Sequence, residues 1–241
     1  MQLKIGVPAK GRLSGQALDW LRSRRLTIEV PGSGRRYSAR ATGNIGAELV
    51  FMSAAEIPDE LLRGKLHLGI TGSDLVHEHY PNWQERLELL VELGFGGARL
   101  VVAVPAFWLD VDSVEDLDEV AAQFRARQGR SLRIATKFHN LAREFLRSSG
   151  LTDYRLVDSQ GATEGAVANN MAEAIVDLVS TGETLAANGL KPLEDGVVFR
   201  SQAVLLQSGS ARFSPAERQA VASLVGDRPP DRMGQADWSG D

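Results

Sequence analysis

Short apolar runs alternate with amphipathic stretches of about ten residues along most of this chain, and that pattern is the strongest constraint on its fold. Short apolar runs are typical of strands, and the stretches between them carry apolar residues at helical spacing. Strands separated by helices predict βαβ units and mainly parallel sheets, so we expect an α/β fold. The predicted strands cover residues 3–7, 49–52, 66–71, 99–104, 132–136, 154–158, 174–179 and 197–206.

Capping residues support several predicted helices. Ser14 and Ser113 each precede an amphipathic stretch, as N-cap residues do. Ser214 is followed by a proline and, three residues on, by Glu217, which predicts a capping box. Gly150 stands where a glycine commonly ends a helix. We expect helices at residues 56–63, 140–149 and 163–171, and others that begin after Ser14, Ser113 and Ser214.

Two features suggest that the chain forms two lobes. The glycine-rich stretch at 94–97 lies just before the strand at 99–104, and the chain after Thr184 still needs one strand to finish a sheet begun earlier. A chain that enters a second lobe near residue 105 and returns near 190 would form a cleft. We therefore predict lobe I at residues 1–104 and 186–225, lobe II at 105–185, and a flexible tail at 226–241.

The composition excludes several classes of protein. The chain has 241 residues, a formal net charge of −4 and no cysteine. Without cysteine there is no disulfide scaffold, thiolate zinc site or cysteine nucleophile, and a weakly acidic chain binds nucleic acid or anionic membrane poorly. The sequence shows neither a secretory signal nor an apolar run near the ~18 residues that span a bilayer. We expect a cytoplasmic location, with no nucleic acid and no membrane as partners.

The strongest candidate site is the strand at 174–179 with the residues that follow it. Residues 180–184 (STGET) would open a short helix, and its N–H groups and three hydroxyls suit an anion such as phosphate. Gly182 allows a ligand to approach the backbone closely. Asp177 lies on the strand, where a carboxylate can hold ribose hydroxyls or a metal. An ordinary capped βα turn explains the same residues equally well.

Three further candidate ligand-binding positions lie next to predicted elements, two after strands and one near the start of a helix. Lys10-Gly11-Arg12 comes after the first strand, and two cations beside a glycine suit phosphate groups, although an exposed basic loop also explains them. Gly72 and Asp74 follow another strand, where open α/β sheets bind ligands, although a plain turn is the alternative. Glu164 lies near a helix start, where a carboxylate is favoured by the helix dipole or acts as a cap.

The four histidines do not form a convincing metal site. His77 and His79 flank Glu78, but zinc needs a third ligand in suitable geometry, so an exposed helix face explains this triplet better. His139 is expected at the surface. The chain also has no Walker loop, nucleophile elbow or GxGxxG fingerprint.

Three segments together resemble the ATP phosphoribosyltransferase family, which carries out the first step of histidine biosynthesis. They are PAKGRL at 8–13, LHLGITGSDL at 66–75 and GATEGAVANNMAEAIVDLVSTGETLAANGL at 161–190, and the last is the most specific. The resemblance covers roughly residues 1–206. It implies a two-lobed, periplasmic-binding-protein-like (type II) fold with the active-site cleft between the lobes.

The resemblance also implies a reaction and its partners. N1 of the ATP purine attacks carbon 1 of phosphoribosyl pyrophosphate, pyrophosphate leaves, and Mg²⁺ is required. Longer members add a C-terminal domain that binds histidine, but only about 35 residues follow Leu206 here, which implies the short form. Short forms work with a separate regulatory subunit related to histidyl-tRNA synthetase, so we expect a homodimer within a hetero-oligomer.

Site roles follow from the same resemblance. Asp177, Lys10 and Glu164 are the expected catalytic residues, with Asp177 on the ribose hydroxyls and Glu164 at the adenine amino group. Mg²⁺ is expected to be held mostly by substrate phosphates, with no protein ligand assigned. The expected ligands of phosphoribosyl pyrophosphate are Asp177, Ser180, Thr181, Gly182, Glu183 and Thr184, and those of ATP or pyrophosphate are Lys10, Gly11, Arg12, Gly72 and Asp74.

The sequence departs from the family pattern at a few positions. Ser53 stands where many members have an arginine, and Arg40 or Lys65 could supply the missing charge. Asn170 replaces a frequent glycine and Glu173 a frequent aspartate, which is compatible with an active variant branch. The alternative function is a non-catalytic cytoplasmic protein of the same fold that binds a small molecule. The phosphate-type loops and the lack of a helix-turn-helix segment favour the enzyme.

Overall fold

The computed structural model describes residues 2–29, 38–159 and 163–226. The strands in these ranges are β1 (Leu3–Pro8), β2 (Leu26–Glu29), β3 (Ser38–Gly43), β4 (Ala47–Met52), β5 (Leu68–Gly72), β6 (Leu87–Glu92), β7 (Ala98–Pro105), β8 (Leu132–Thr136), β9 (Tyr154–Asp158), β10 (Ala174–Val179), β11 (Leu190–Ser201) and β12 (Ala203–Ser208). The helices are α1 (Ser14–Ser23), α2 (Ile57–Leu62), α3 (Ser73–His79), α4 (Val114–Gln128), α5 (His139–Ser148), α6 (Gly165–Ala168), α7 (Glu183–Ala187) and α8 (Pro215–Val225), with a 3₁₀ turn at Trp83–Glu85.

The described residues divide into two compact units. The first comprises those of Met1–Ser73, Asn82–Gly96 and Ala203–Asp241, and the second those of Asp74–Pro81 and Gly97–Gln202. These bounds differ from the predicted lobe boundaries at 104/105 and 185/186. The reason is pairing: β7 lies between β11 and β10 in one sheet, so both β7 and β11 belong to the second unit.

The first unit is built on a seven-stranded sheet in the order β2-β3-β4-β1-β5-β12-β6. The central strand β1 is parallel to β4 and β5, and every other neighbouring pair in this sheet is antiparallel. Apolar side chains of the sheet pack with α1 and α8, and the cluster includes Ile5, Leu49, Leu21 and Leu224. This core places the loop after β1 at the carboxyl edge of the parallel strands.

The second unit is built on a five-stranded sheet in the order β11-β7-β10-β8-β9. β8 is parallel to β10 and β9, whereas β7 is antiparallel to its neighbours. Alternating residues of β10 enter different apolar clusters, with Val176 beside residues of α4 and α5 and Ile175 beside Leu185 of α7. Apolar packing on both faces explains why β10 reads as an almost continuous apolar run.

The sheets are mixed rather than mainly parallel, which corrects that part of the predicted fold class. In addition, the strand predicted at 197–206 is two strands, because the chain leaves one sheet at Ser201 and enters the other at Ala203. No glycine or proline marks this change in the sequence. β2 and β6, both edge strands of the first sheet, were not among the predicted strands.

Most helix termini agree with the predicted caps. Ser113 and Ser214 each form a capping box, with hydrogen bonds from the nitrogens of Asp116 (3.1 Å) and Glu217 (3.3 Å) to their hydroxyls. Ser14 is not an N-cap, since Leu13 occupies that position without a side-chain bond. The helix predicted at 163–171 is only the four-residue α6, and Asn170 beyond it has a positive φ of 56°.

Two predictions concern the rest of the chain. The tail predicted at 226–241 lies, except for Gly226, outside the described residues. The described helices include none with the length and apolar character needed to cross a membrane.

Candidate active site

The candidate site lies at the carboxyl edge of the second sheet. β8, β9 and β10 are parallel, and Thr136 near the end of β8 pairs with Val176 of β10 and with Asp158 of β9. The carboxyl ends of these three strands therefore lie at the same edge of the sheet, where ligand-binding loops lie in α/β sheets, and β10 continues past the other two to Val179.

The loop after β10 surrounds a concavity of about 250 Å³. Gly182, the residue before α7, has φ = +86°, and a Cβ built on it would meet nothing within 4 Å. Glycine is required there by the backbone conformation, and the space beside it is open to a ligand. The lining residues are Glu164, Asp177, Leu178, Val179, Ser180, Thr181, Gly182, Thr184 and Leu185.

The structure thus brings together six predicted site residues, from Glu164 near α6 to Thr184 in α7. Glu183 is not part of the lining. It is the first residue of α7 and is exposed, a position in which a carboxylate is stabilised by the helix dipole. Its side chain therefore has a local structural explanation.

The Asp177 carboxyl is half-buried and lies in an acidic environment. Burial raises the pKa of Asp177 above its ordinary value, and the neighbouring Glu164 carboxylate raises it further. The N–H of Leu178, which donates to Oδ1 over 2.9 Å, and the ammonium of Lys137 act in the opposite direction. A carboxyl group in a concavity, with a raised pKa that neighbouring donors and cations only partly offset, is a candidate functional group.

Lys137 was not among the predicted site residues. It directly follows β8, is exposed, and interacts electrostatically with Asp177. Its proximity depends on the parallel register of β8 beside β10, which places the residue after Thr136 next to Asp177. An apolar strand followed by a lysine was the only signal in the sequence.

The loop after β1 belongs to the first unit and carries Lys10, Gly11 and Arg12, all exposed. Gly11 has φ = +86°, as a tight loop requires. The Arg12 guanidinium donates to the carbonyl oxygen of Gly96. Lys10 is therefore the cation of this loop that extends into solvent without a hydrogen bond to the described residues.

Gly72 and Asp74 are more enclosed than a surface turn allows. Gly72 ends β5 and pairs with Ala203, and Asp74 lies in α3 with only 3% of its surface exposed. Its carboxylate accepts a hydrogen bond from the Ser201 hydroxyl, whose oxygen in turn accepts from the Asp74 N–H over 3.3 Å. The predicted plain turn is thus the start of a helix, and Asp74 is held by the second unit.

Glu78 contradicts the prediction of an exposed helix face. It is buried, and its carboxylate accepts from the N–H groups of Asn140 (2.9 Å) and Leu141 (3.0 Å) at the start of α5. His77 packs on Phe199 with ring centroids 4.8 Å apart, and His79 is exposed. In the described part of the chain, no group of three or more His, Asp or Glu side chains could hold a metal ion.

The replacements considered for the missing arginine at Ser53 do not lie beside it. Lys65 precedes β5, at the opposite edge of the parallel strands from Ser53, and bonds to Glu60 over 3.2 Å. Arg40 lies within β3, where it is in register with Glu48 near the start of β4, whereas Ser53 follows the end of β4. Neither position is at the carboxyl edge that Ser53 occupies.

Comparison with known proteins identifies the family. The family model for ATP phosphoribosyltransferase matches residues 53–226. The ATP phosphoribosyltransferase of Cereibacter sphaeroides is 56% identical over 216 residues, which cover 90% of this chain and 92% of the relative. That of Mesorhizobium japonicum is 51% identical over 211 residues, covering 87% and 91%.

Solved structures show the fold. A chain of the ATP phosphoribosyl transferase (HisG:HisZ) complex from Thermotoga maritima matches with a TM-score of 0.67 at 23% identity, covering 92% of this chain and 94% of that one. A probable amino-acid ABC transporter extracellular-binding protein from Bacillus subtilis matches with a TM-score of 0.53 at 10% identity, covering 92% and 94%. The predicted periplasmic-binding-protein-like α/β fold is confirmed.

A solute-binding likeness at such low identity concerns the fold alone, so it does not support the alternative of a non-catalytic binding protein. The family model covers most of the chain, and two relatives of similar length exceed 50% identity. The chain therefore belongs to the ATP phosphoribosyltransferase family, the enzymes that transfer the phosphoribosyl group of phosphoribosyl pyrophosphate to ATP, with release of pyrophosphate, in the first step of histidine biosynthesis.

Proposed function

We propose that the concavity after β10 binds the phosphoribosyl group and that Asp177 holds its ribose hydroxyls. The observation that carries this proposal is the placement of Asp177 in one concavity with Ser180, Thr181, Gly182 and Thr184. The hydroxyls and N–H groups of residues 180–184 would bind the 5′-phosphate, and the open space beside Gly182 lets the phosphate approach the backbone. The Glu183 side chain has no part in this proposal.

Charge placement supports the role of Asp177. Attack on carbon 1 of the ribose passes through an oxocarbenium-like state, so positive charge develops on the sugar. A carboxylate that lies against the ribose stabilises that charge, and its effect is stronger in a half-buried site than in water. Purine N1 is already a nucleophile, so the reaction needs positioning of the substrates rather than a strong base. Glu164, which lines the same concavity, would accept a hydrogen bond from the adenine amino group.

The opposite charge is supplied by Lys10. We assign this exposed ammonium to the phosphates of ATP or to pyrophosphate, together with the N–H of Gly11. Gly72 and Asp74 are enclosed, so any contribution of theirs to ATP binding would come through the backbone at the end of β5.

The donor set fits Mg²⁺ bound mainly by the substrates. Asp177 and Glu164 line one concavity, and the described residues offer no larger cluster of metal ligands. Mg²⁺ is commonly held by one or two carboxylates plus substrate phosphates. When bound, the ion neutralises charge on the departing pyrophosphate.

We further propose that the chain forms a homodimer within a hetero-oligomer and works with a regulatory subunit related to histidyl-tRNA synthetase. Support comes from the solved neighbour, which is described as a HisG:HisZ complex. Cytoplasmic location stays a prediction from the sequence.

A spectrophotometric assay tests the proposed site. The purified chain is mixed with ATP, phosphoribosyl pyrophosphate and Mg²⁺, with and without the candidate regulatory subunit. Formation of N1-(5-phosphoribosyl)-ATP is followed by its absorbance. Ser180→Ala and Thr184→Val are expected to raise the KM for phosphoribosyl pyrophosphate more than the KM for ATP. An equal rise in both constants, or none, would contradict the 5′-phosphate assignment.

Light scattering on the mixed subunits tests the proposed assembly. A molecular mass that is unchanged on mixing would refute it.

A further inference from the structure

Glu78 is a buried carboxylate that the proposed reaction does not use. It lies in α3, and residues 74–81 belong to the second unit together with α5. The carboxylate accepts the N–H of Asn140 at 2.9 Å and 3.1 Å and the N–H of Leu141 at 3.0 Å. The backbone carbonyl of Glu78 also accepts a bond from Nδ2 of Asn140 over 2.8 Å. A residue 62 positions earlier in the chain therefore caps the start of α5.

This cap replaces one that the adjoining sequence does not provide. The N-cap residue of α5 is Phe138, which makes no side-chain capping bond. The first N–H groups of a helix have no partner within the helix, and a carboxylate there satisfies them and is stabilised by the helix dipole. The bonds to two N–H groups offset the cost of burying the Glu78 charge. Glu78 thus fixes the point at which α5 begins.

The turn between β8 and α5 consists of only Lys137 and Phe138. At its first end, the N–H of Phe138 donates to Oγ1 of the buried Thr136 over 2.9 Å. At its second end lies the first turn of α5, which Glu78 caps. Phe138 is buried, whereas Lys137 is exposed and interacts electrostatically with Asp177. Because so short a turn is held at both ends, the direction of the Lys137 side chain depends on both contacts.

We propose that Glu78 is a positioning residue for the phosphoribosyl site, which fixes, through the start of α5, the turn that holds Lys137 beside Asp177. The fixing of the turn stands on the contacts alone. Its consequence for catalysis rests on the proposed function, in which the concavity of Asp177 takes phosphoribosyl pyrophosphate. This substrate is a polyanion, so an ammonium group held beside the concavity favours its binding.

Amide hydrogen exchange of the full chain without substrate, followed by NMR, tests the contact. Glu78→Gln keeps the size of the side chain but leaves one acceptor oxygen, and its NH2 group would face a backbone donor. Exchange of the Asn140 and Leu141 N–H groups should speed up roughly tenfold or more, because the first turn of α5 then opens locally. Glu144→Gln, which removes an exposed carboxylate from α5 itself, should leave these rates within about twofold of the wild-type values.

The KM for phosphoribosyl pyrophosphate tests the effect on the site, because two explanations differ in sign. Loss of the Glu78 charge by itself would favour a polyanion and lower this KM, whereas displacement of Lys137 should raise it. We expect Glu78→Gln to raise the KM roughly threefold. The Glu78→Gln, Lys137→Gln double variant should match Lys137→Gln alone, because no ammonium is left to position. Thr136→Val, which frees the first end of the turn, should behave in the same way.

The outcomes separate this inference from the proposed function. Faster exchange in Glu78→Gln, with a raised KM that disappears as a separate effect in the Lys137→Gln background, supports both. Unchanged exchange, a lowered KM, or a rise that adds in full to that of Lys137→Gln overturns the inference. Faster exchange with an unchanged KM also overturns it if Ser180→Ala raises the same KM. If Ser180→Ala has no effect either, the proposed function is refuted, and only the fixing of the turn is supported.

Discussion

The two ends of β10 carry carboxylates in opposite electrostatic environments. Glu173, just before the strand, accepts hydrogen bonds from the guanidinium groups of Arg133 (2.7 Å) and Arg130 (3.1 Å) and from the Arg133 N–H (2.8 Å). Burial alone would raise the pKa of Glu173, but these bonds outweigh it and lower the pKa to about 2. Asp177, within the strand, has a raised pKa because burial and Glu164 outweigh the Leu178 N–H and Lys137.

The difference separates a carboxylate that stabilises the fold from one that is available to a ligand. Glu173 is fully engaged with two arginines of its own unit, so it has little capacity left for a substrate. Asp177 lies close to a second carboxylate, that of Glu164, in the concavity, an arrangement that costs stability until a ligand supplies hydroxyls or positive charge. The partly compensated charge of Asp177 therefore supports the proposal that this end of β10 binds the substrate.

The largest expected effect comes from Asp177→Ala. If Asp177 stabilises the ribose in the transition state, kcat/KM should fall by about 10²–10³-fold. The melting temperature should not fall, since burial and Glu164 already disfavour the Asp177 carboxylate in the folded state. Steady-state kinetics and calorimetry measure both, and Glu119→Gln, an exposed change on α4, serves as the control. A variant that keeps most of its activity would refute the role of Asp177.

Glu173→Gln should show the opposite pattern. It leaves two partly buried arginines without their counter-charge, so the free energy of unfolding should drop by about 2 kcal/mol. Residual folded enzyme should keep its kcat, because Glu173 is at the far end of the strand from the concavity. Urea unfolding followed by circular dichroism measures the loss. A Glu173→Gln variant that is stable but inactive would contradict the assignment of Glu173 to stability rather than to function.

Lowering the pH should change the stability contributions of Glu173 and Asp177 in opposite directions. The folded-state pKa of Glu173 lies below its ordinary 4.5, so its stabilisation is present above pH 4.5 and is lost as the pH falls toward 2. The folded-state pKa of Asp177 is raised, so its ionisation costs stability as the pH rises through that value. Melting curves against pH should therefore show a weaker acid dependence in Glu173→Gln, and a higher midpoint at neutral pH in Asp177→Asn. Parallel curves for all three proteins would contradict both assignments.

The smallest expected effect is a shift of the acidic limb of the kcat/KM profile. Glu164→Gln removes a neighbouring negative charge, which lowers the pKa of Asp177 and moves the limb to lower pH. Lys137→Gln removes a positive charge and moves it to higher pH. Lys191→Gln is the matched control, because Lys191 bonds to Asp112 over 2.6 Å and does not influence Asp177. Shifts of the same sign in the first two variants would exclude this account.

Local signals in the sequence predicted local structure well. The bounds of β8, β9 and β10 agree residue for residue with the predicted runs, since each is a short apolar segment between polar turns. The N-cap of α4 at Ser113 and the capping box of α8 are equally local and were also predicted. By contrast, the run at 197–206 could not reveal its division at Gln202, because strand partners are set by distant residues.

The candidate site shows the same limit. Asp177 and residues 180–184 are contiguous, so sequence reasoning could group them. Lys137 and Glu78 could not be placed, because their roles depend on the register of β8 and on the packing of α3 against α5. Arg12 has the residue type of a phosphate ligand, and only the position of Gly96 reveals its contact within the protein.

The position of β12 affects how the protein folds during its synthesis. This strand lies between β5 and β6 in the first sheet, although it follows both by more than a hundred residues in the chain. While a ribosome is still extending the chain toward residue 203, β5 lacks its neighbour on one side, and β6 lacks the strand with which it pairs in the sheet. A nascent or truncated chain that stops at Gln202 can already contain every strand of the second sheet, yet in the first sheet it leaves β5 with an open edge and β6 without its partner, and unpaired strand edges favour aggregation. Premature termination near this point should therefore yield insoluble protein rather than a partly active enzyme.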